Sequence, residues 1–119
     1  MRWLCLGLCF LACAVQASET RLRLLVQSAP LAGVRYYEAG EVWSELRPGD
    51  EVSLLREPRN PHDGNAVQVQ WRGRMLGYVP RRANGTLAWA LERGDPLHAR
   101  ISRLEQRRAR HVEIEVYVE

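Results

Sequence analysis

Beyond its amino terminus this chain keeps no hydrophobic period for long. Apolar and polar residues alternate in short runs, broken by Pro, Gly, Asn or Asp about every eight to twelve residues. Ala66 to Trp71 alternates plainly, and from Val112 to Glu119 the apolar Val112, Ile114, Val116 and Val118 are interleaved with Glu113, Glu115, Tyr117 and Glu119. Side chains that alternate at period two belong to strands with one buried face. Arg21 to Val26, Glu51 to Arg56, Met75 to Val79 and Leu97 to Leu104 read the same way, with Arg72-Gly73 as a tight hairpin and Glu105 to Arg110 as a charged turn. Gly33 to Tyr37 reads as a short extended piece with Arg35 and Tyr37 on one side and Tyr36 on the other. Glu38 to Leu46 is indistinct, a helical turn or a loop.

Pro80 to Arg93 changes period. Ala83, Leu87, Ala90 and Leu91 fall on one helical face and Gly94 stands at the C-cap. Asn84-Gly85 weakens the first turn, so the helix is expected to begin after Gly85, with Thr86 near its cap. Six short strands with one helix between the fourth and fifth predict a mainly β domain, a small six-stranded OB-like partly open barrel.

The amino terminus is a different kind of sequence. Arg2 precedes an apolar run, Trp3 to Ala14, too short to span a bilayer, and Val15-Gln16-Ala17 ends in a small residue. Residues 1–17 therefore read as a secretory signal, leaving 18–119 as one domain with no membrane span, periplasmic or secreted. Lipidation at Cys13 is the alternative, although Phe10 and Leu11 make a poor lipobox. Cys5, Cys9 and Cys13 all lie inside this segment, so the cleaved chain holds no thiol. The 17 basic residues are all arginine against 14 acids, a formal net charge of +3. That balance excludes a broadly basic nucleic-acid binder and makes any anion site local.

The most structured loop lies between two alternating runs, from Arg56 to Val67. Pro58 and Pro61 fix their own φ and bias Glu57 and Asn60 toward extended backbone. Asn60, Asp63, Gly64 and Asn65 supply turn chemistry. The loop should hold one shape and present Arg56, Arg59, Asn60, His62 and Asp63 on a rigid support.

Three segments, Gly33 to Tyr37, Arg56 to Val67, and Gly77 to Arg81 before a helix, are similar in order and spacing to the HIRAN domain, over about residues 22–104. That family is found at the front of helicase-like DNA-repair ATPases and as stand-alone bacterial proteins. The resemblance implies an OB-like barrel that captures the 3′ end of single-stranded DNA. It implies a phosphate contact at Arg35 and the backbone near Tyr36, and base stacking on Tyr36 or Tyr37. Asn60 and Asp63 would hydrogen-bond the terminal nucleotide, with the Asp63 carboxylate accepting from the free 3′-hydroxyl. His62 stands where a tyrosine is common, and Tyr78 and Arg81 would flank the pocket, Arg81 as a phosphate partner.

No glycine-rich phosphate loop or cysteine–histidine finger is present, so ATP hydrolysis and zinc binding do not carry over. No catalytic residue, cofactor or metal is expected, and the protein is read as a monomeric binding module rather than an enzyme. A second reading reuses the barrel in the envelope as a structural or protein-interaction module, its arginines meeting acidic peptide or cell-wall groups and exposed Trp43 and Trp89 as anchors. Arg82, Arg107, Arg108 and Arg110 read as solvated charge, and Asn84-Gly85-Thr86 has the form of a glycosylation sequon.

Overall fold

The computed structural model describes residues 24–119, and the segment read as an export signal lies outside them. The period-two runs become six strands: β1 (Leu24–Pro30), β2 (Glu51–Arg56), β3 (Val67–Trp71), β4 (Arg74–Tyr78), β5 (Leu97–Gln106) and β6 (Arg110–Val118). They form one antiparallel sheet in the order β1-β6-β5-β2-β3-β4. Alternation decides the faces. Val67, Val69 and Trp71 of β3 are buried while Gln68 and Gln70 are only partly so, and Val112, Ile114 and Val116 do the same on β6.

The sheet curls until its ends meet. Past β1, Ala32 pairs with Tyr78 of β4 through two backbone hydrogen bonds of 2.7 and 3.0 Å. That bridge makes the partly open barrel expected from the sequence, and it depends on a glycine. A Cβ on Gly77 would stand 2.7 Å from the Ala32 carbonyl oxygen, a backbone atom that cannot swing aside. Gly77→Ala is expected to lower stability to urea by about 1–3 kcal/mol. Gly64→Ala, whose nearest neighbour would lie 3.8 Å away, should stay close to wild type in the same measurement.

The helix α1 (Ala39–Val42) resolves the indistinct stretch, and α2 (Arg81–Glu92) covers the barrel. Leu87 and Ala88 of α2 join Val67, Val69, Leu76, Ile101 and Ile114 in one core. α2 begins at Arg81 and runs through Asn84-Gly85, contrary to expectation. Asn84 is 4% exposed and its amide donates to Asp63 at 2.7 Å. This tertiary bond outweighs the low helix propensity of the Asn-Gly pair, about 1 kcal/mol for glycine. Burial also removes Asn84 as a glycosylation acceptor in the folded chain. Gly94 ends the helix with φ +79°.

Two further boundaries differ. Gly33 adopts left-handed backbone (φ 73°, ψ 15°) and turns the chain into a 3-10 helix, Val34–Tyr36, where an extended piece was expected. The strand has already ended at the Ala32–Tyr78 bridge, and the Tyr36 N–H finds the Gly33 carbonyl at 2.9 Å. β5 continues to Gln106 because Glu105 and Gln106 pair with His111 and Arg110, which shrinks the charged turn to Arg107–Ala109.

Candidate functional site

The loop between β2 and β3 is tied at its base and inside. Glu57 N–H donates to the Ala66 carbonyl at 2.8 Å, and Ala66 N–H to the Asp63 carbonyl at 3.1 Å. Asn60 Oδ1 accepts from the His62 and Asp63 amides at 2.9 and 3.3 Å, and Asp63 Oδ1 from the Asn65 amide at 2.9 Å. These are side chains that shape their own turn. Asn60, read as a contact to a nucleotide, has its carbonyl oxygen committed to that internal work.

Sequence reasoning missed the residue on which the loop rests. The sequence marks Glu57 only as a residue that Pro58 biases toward extended backbone. Its carboxylate accepts from the Tyr78 hydroxyl, 2.9 Å from both oxygens, from Asn60 Nδ2 at 3.0 Å and from Gln68 Nε2 at 2.7 Å. Gln68 and Tyr78 are direct cross-strand partners on β3 and β4, so one acid reaches both. Burial pushes the Glu57 carboxyl up, but the bonds from Gln68, Asn60 and Tyr78 outweigh it and hold the group below its ordinary value. The same contact acts oppositely on its partner. Burial, the hydrogen bond to Glu57 and the Glu57 charge push the Tyr78 hydroxyl up to about 12, which keeps it a neutral donor.

Loop, β4 and the start of α2 enclose a cleft of ≈ 340 Å³. Six of the residues singled out by sequence line it: Tyr37, Asn60, His62, Asp63, Tyr78 and Arg81. Tyr37 meets Tyr78 edge to face, with ring centroids 5.6 Å apart. Asp63 Oδ2 accepts from Asn84 and lies 3.8 Å from Arg81 Nε. The Asn65 amide and the Asn84 side chain hold the Asp63 carboxyl below its usual range, burial opposes them, and the Arg81 charge adds to the lowering. Asp63 is therefore an ionised carboxylate fixed in direction. The Arg81 side chain is 73% exposed and donates from Nη2 to the His62 carbonyl at 2.8 Å, which aims the guanidinium along the rim. Asn84 lines the cleft too, and its only sequence signal was a polar residue on an otherwise apolar helical face.

Arg35 and Tyr36 do not line this cleft. They sit on the 3-10 helix, where Arg35 stacks its guanidinium 4.6 Å from the Tyr36 ring centre and donates to the Tyr36 hydroxyl. Arg35 instead faces an adjacent groove, and Tyr37 belongs to both. The expectation of two exposed tryptophans fails at one of them. Trp43 is half-buried and packs against the core, whereas Trp89 is 60% exposed under the Arg93 guanidinium. Among the described residues no group of three or more His, Cys, Asp or Glu could hold a metal ion, and no helix is long and apolar enough to cross a membrane.

Known proteins share this fold. The chain is 36% identical over 73 residues to the Fanconi-associated nuclease 1 homolog of Oryza sativa subsp. japonica, a match covering 58% of this chain and 7% of that protein. A crystal structure of a protein from Lactobacillus plantarum superimposes with a TM-score of 0.73 at 27% identity, over 82% of this chain and 95% of that one. The crystal structure of the HIRAN domain of human HLTF superimposes with a TM-score of 0.65 at 22% identity, over 81% and 78%, a likeness of fold. The HIRAN domain model matches residues 24–119, through β6 and so past residue 104, where the resemblance read from the sequence stops. The chain thus belongs to the HIRAN domain family, which is known for nucleic-acid binding.

Proposed function

We propose that the cleft receives the 3′ end of a single-stranded nucleic acid. The observation that carries this reading is Asp63, an ionised carboxylate held by Asn65 and Asn84 in a cleft beside the exposed Arg81. A carboxylate accepts a hydrogen bond from a terminal hydroxyl and repels a phosphate placed there, so it favours an end over an interior. Arg81 offers its remaining N–H groups to the preceding phosphate. Tyr37 is 37% exposed and offers a face to a base, each base so stacked contributing roughly 1–3 kcal/mol. The volume lies within the range of small-ligand sites, about 300–1,000 Å³. The export signal read in residues 1–17 would put this encounter in the periplasm or outside the cell.

The test is fluorescence anisotropy with labelled single-stranded oligonucleotides across a salt series. Binding should weaken as salt rises, since each phosphate contact releases counterions. Tyr37→Ala should weaken it roughly fivefold to a hundredfold, the equivalent of one base stack. Binding that ignores both salt and Tyr37 would overturn the proposal.

A further inference from the structure

The groove beside the cleft holds a feature that its sequence concealed. Arg108 belongs to the turn between β5 and β6, Arg110 begins β6 and Arg35 lies on the 3-10 helix, far off in the chain, yet all three line one groove of ≈ 300 Å³ with Val34, Tyr37 and Gly40. Among the described residues that line it there is no carboxylate. The neighbouring acids are engaged elsewhere, Glu38 and Glu41 with Arg74, and Glu105 with Arg103 and Arg107. Three guanidinium groups around a concavity without a carboxylate create a focused positive potential.

Their placement is built. A Cβ on Gly40 would stand 3.1 Å from Arg110 Nη1, so a glycine makes room for that side chain, and its guanidinium lies 5.8 Å from the Trp43 ring centre. Arg35 is held over Tyr36. Tyr37 forms a wall of both groove and cleft, so the two are neighbours across one ring.

We infer that this groove is a second subsite, which binds the phosphodiester backbone of the nucleotides leading up to the captured end, through Arg108 and Arg110 together with Arg35. The inference rests on the end-capture reading and extends it. An end bound in the cleft sends its chain past Tyr37, and the next surface presents planar forks suited to phosphate. Arg108 and Arg110 are thereby removed from the solvated charge to which sequence assigned them.

The experiment compares a dinucleotide and an octanucleotide with the same 3′ end, titrated against wild type, R108A/R110A and the single charge reversal R108E, with thermal unfolding checked for each. Wild type should bind the octanucleotide roughly tenfold more tightly than the dinucleotide, as expected of added charge-assisted contacts. R108A/R110A should bind both with the dinucleotide affinity, and its salt slope for the octanucleotide should fall by roughly 0.7 for each phosphate no longer neutralised. R108E should forfeit at least as much of the length-dependent gain. If both variants keep the full gain, the groove inference is overturned and end capture stands. If wild type binds neither oligonucleotide, both are overturned.

Discussion

Replacing Glu57, which holds Asn60 and Tyr78 of the cleft from behind, by alanine is expected to destabilise the fold by about 2–3 kcal/mol. The substitution strands three donors, the Tyr78 hydroxyl, Asn60 Nδ2 and Gln68 Nε2, all partly buried and all directed at one carboxylate. Hydrogen bonds to a charged group contribute about 1.5–3 kcal/mol each when well shielded, and partial access of water to these donors reduces the sum. In a domain of this size the change should lower Tm by about 10 °C or more. Nucleotide binding should fall as well, because Asn60 and Tyr78 set the positions of the loop and of Tyr37.

The same acid makes stability depend on pH in a definite direction. Its folded value lies below the ordinary 4.5, so the unfolded chain binds the proton more readily. The stabilisation is fully present above pH 4.5 and is lost as pH falls through the lower folded value. Glu57→Gln should flatten this part of the acid-unfolding profile.

The second large effect is on recognition. Asp63→Asn should weaken binding of a 3′-hydroxyl oligonucleotide tenfold or more, as a charge-assisted acceptor becomes a neutral one. It should also raise affinity for the 3′-phosphate form, by removing the like charge that excludes it. Both oxygens of Asp63 are already placed by Asn65 and Asn84, so little of the loss reflects a search for geometry. Asn84→Ala should produce a milder form of the same defect.

Where periodicity depends on neighbours along the chain, the sequence was readable. β3, β4 and β6, the Arg72-Gly73 hairpin and the Gly94 cap follow from alternation and turn chemistry, and the stiff shape of the loop follows from two prolines with Asn60 and Asp63. Where the deciding contact was tertiary, local rules failed. Asn84-Gly85 stays helical because Asp63 meets Asn84 from another element. Glu57 becomes central only once the register sets Gln68 opposite Tyr78. Gly33 to Tyr37 coils because the chain's last pairing with the sheet is the Ala32–Tyr78 bridge, after which Gly33 turns it away with left-handed backbone. Arg108 and Arg110 are exposed, as solvated charge should be, and what local rules could not show is that the fold brings Arg35 beside them.

The most direct measurement is a paired titration of two oligonucleotides identical except at the terminus, one with a free 3′-hydroxyl and one with a 3′-phosphate, against the wild-type chain at near-neutral pH. A fixed, ionised Asp63 predicts that the hydroxyl form binds at least tenfold more tightly. Equal affinity for the two forms would contradict the assignment of the cleft as a reader of chain ends.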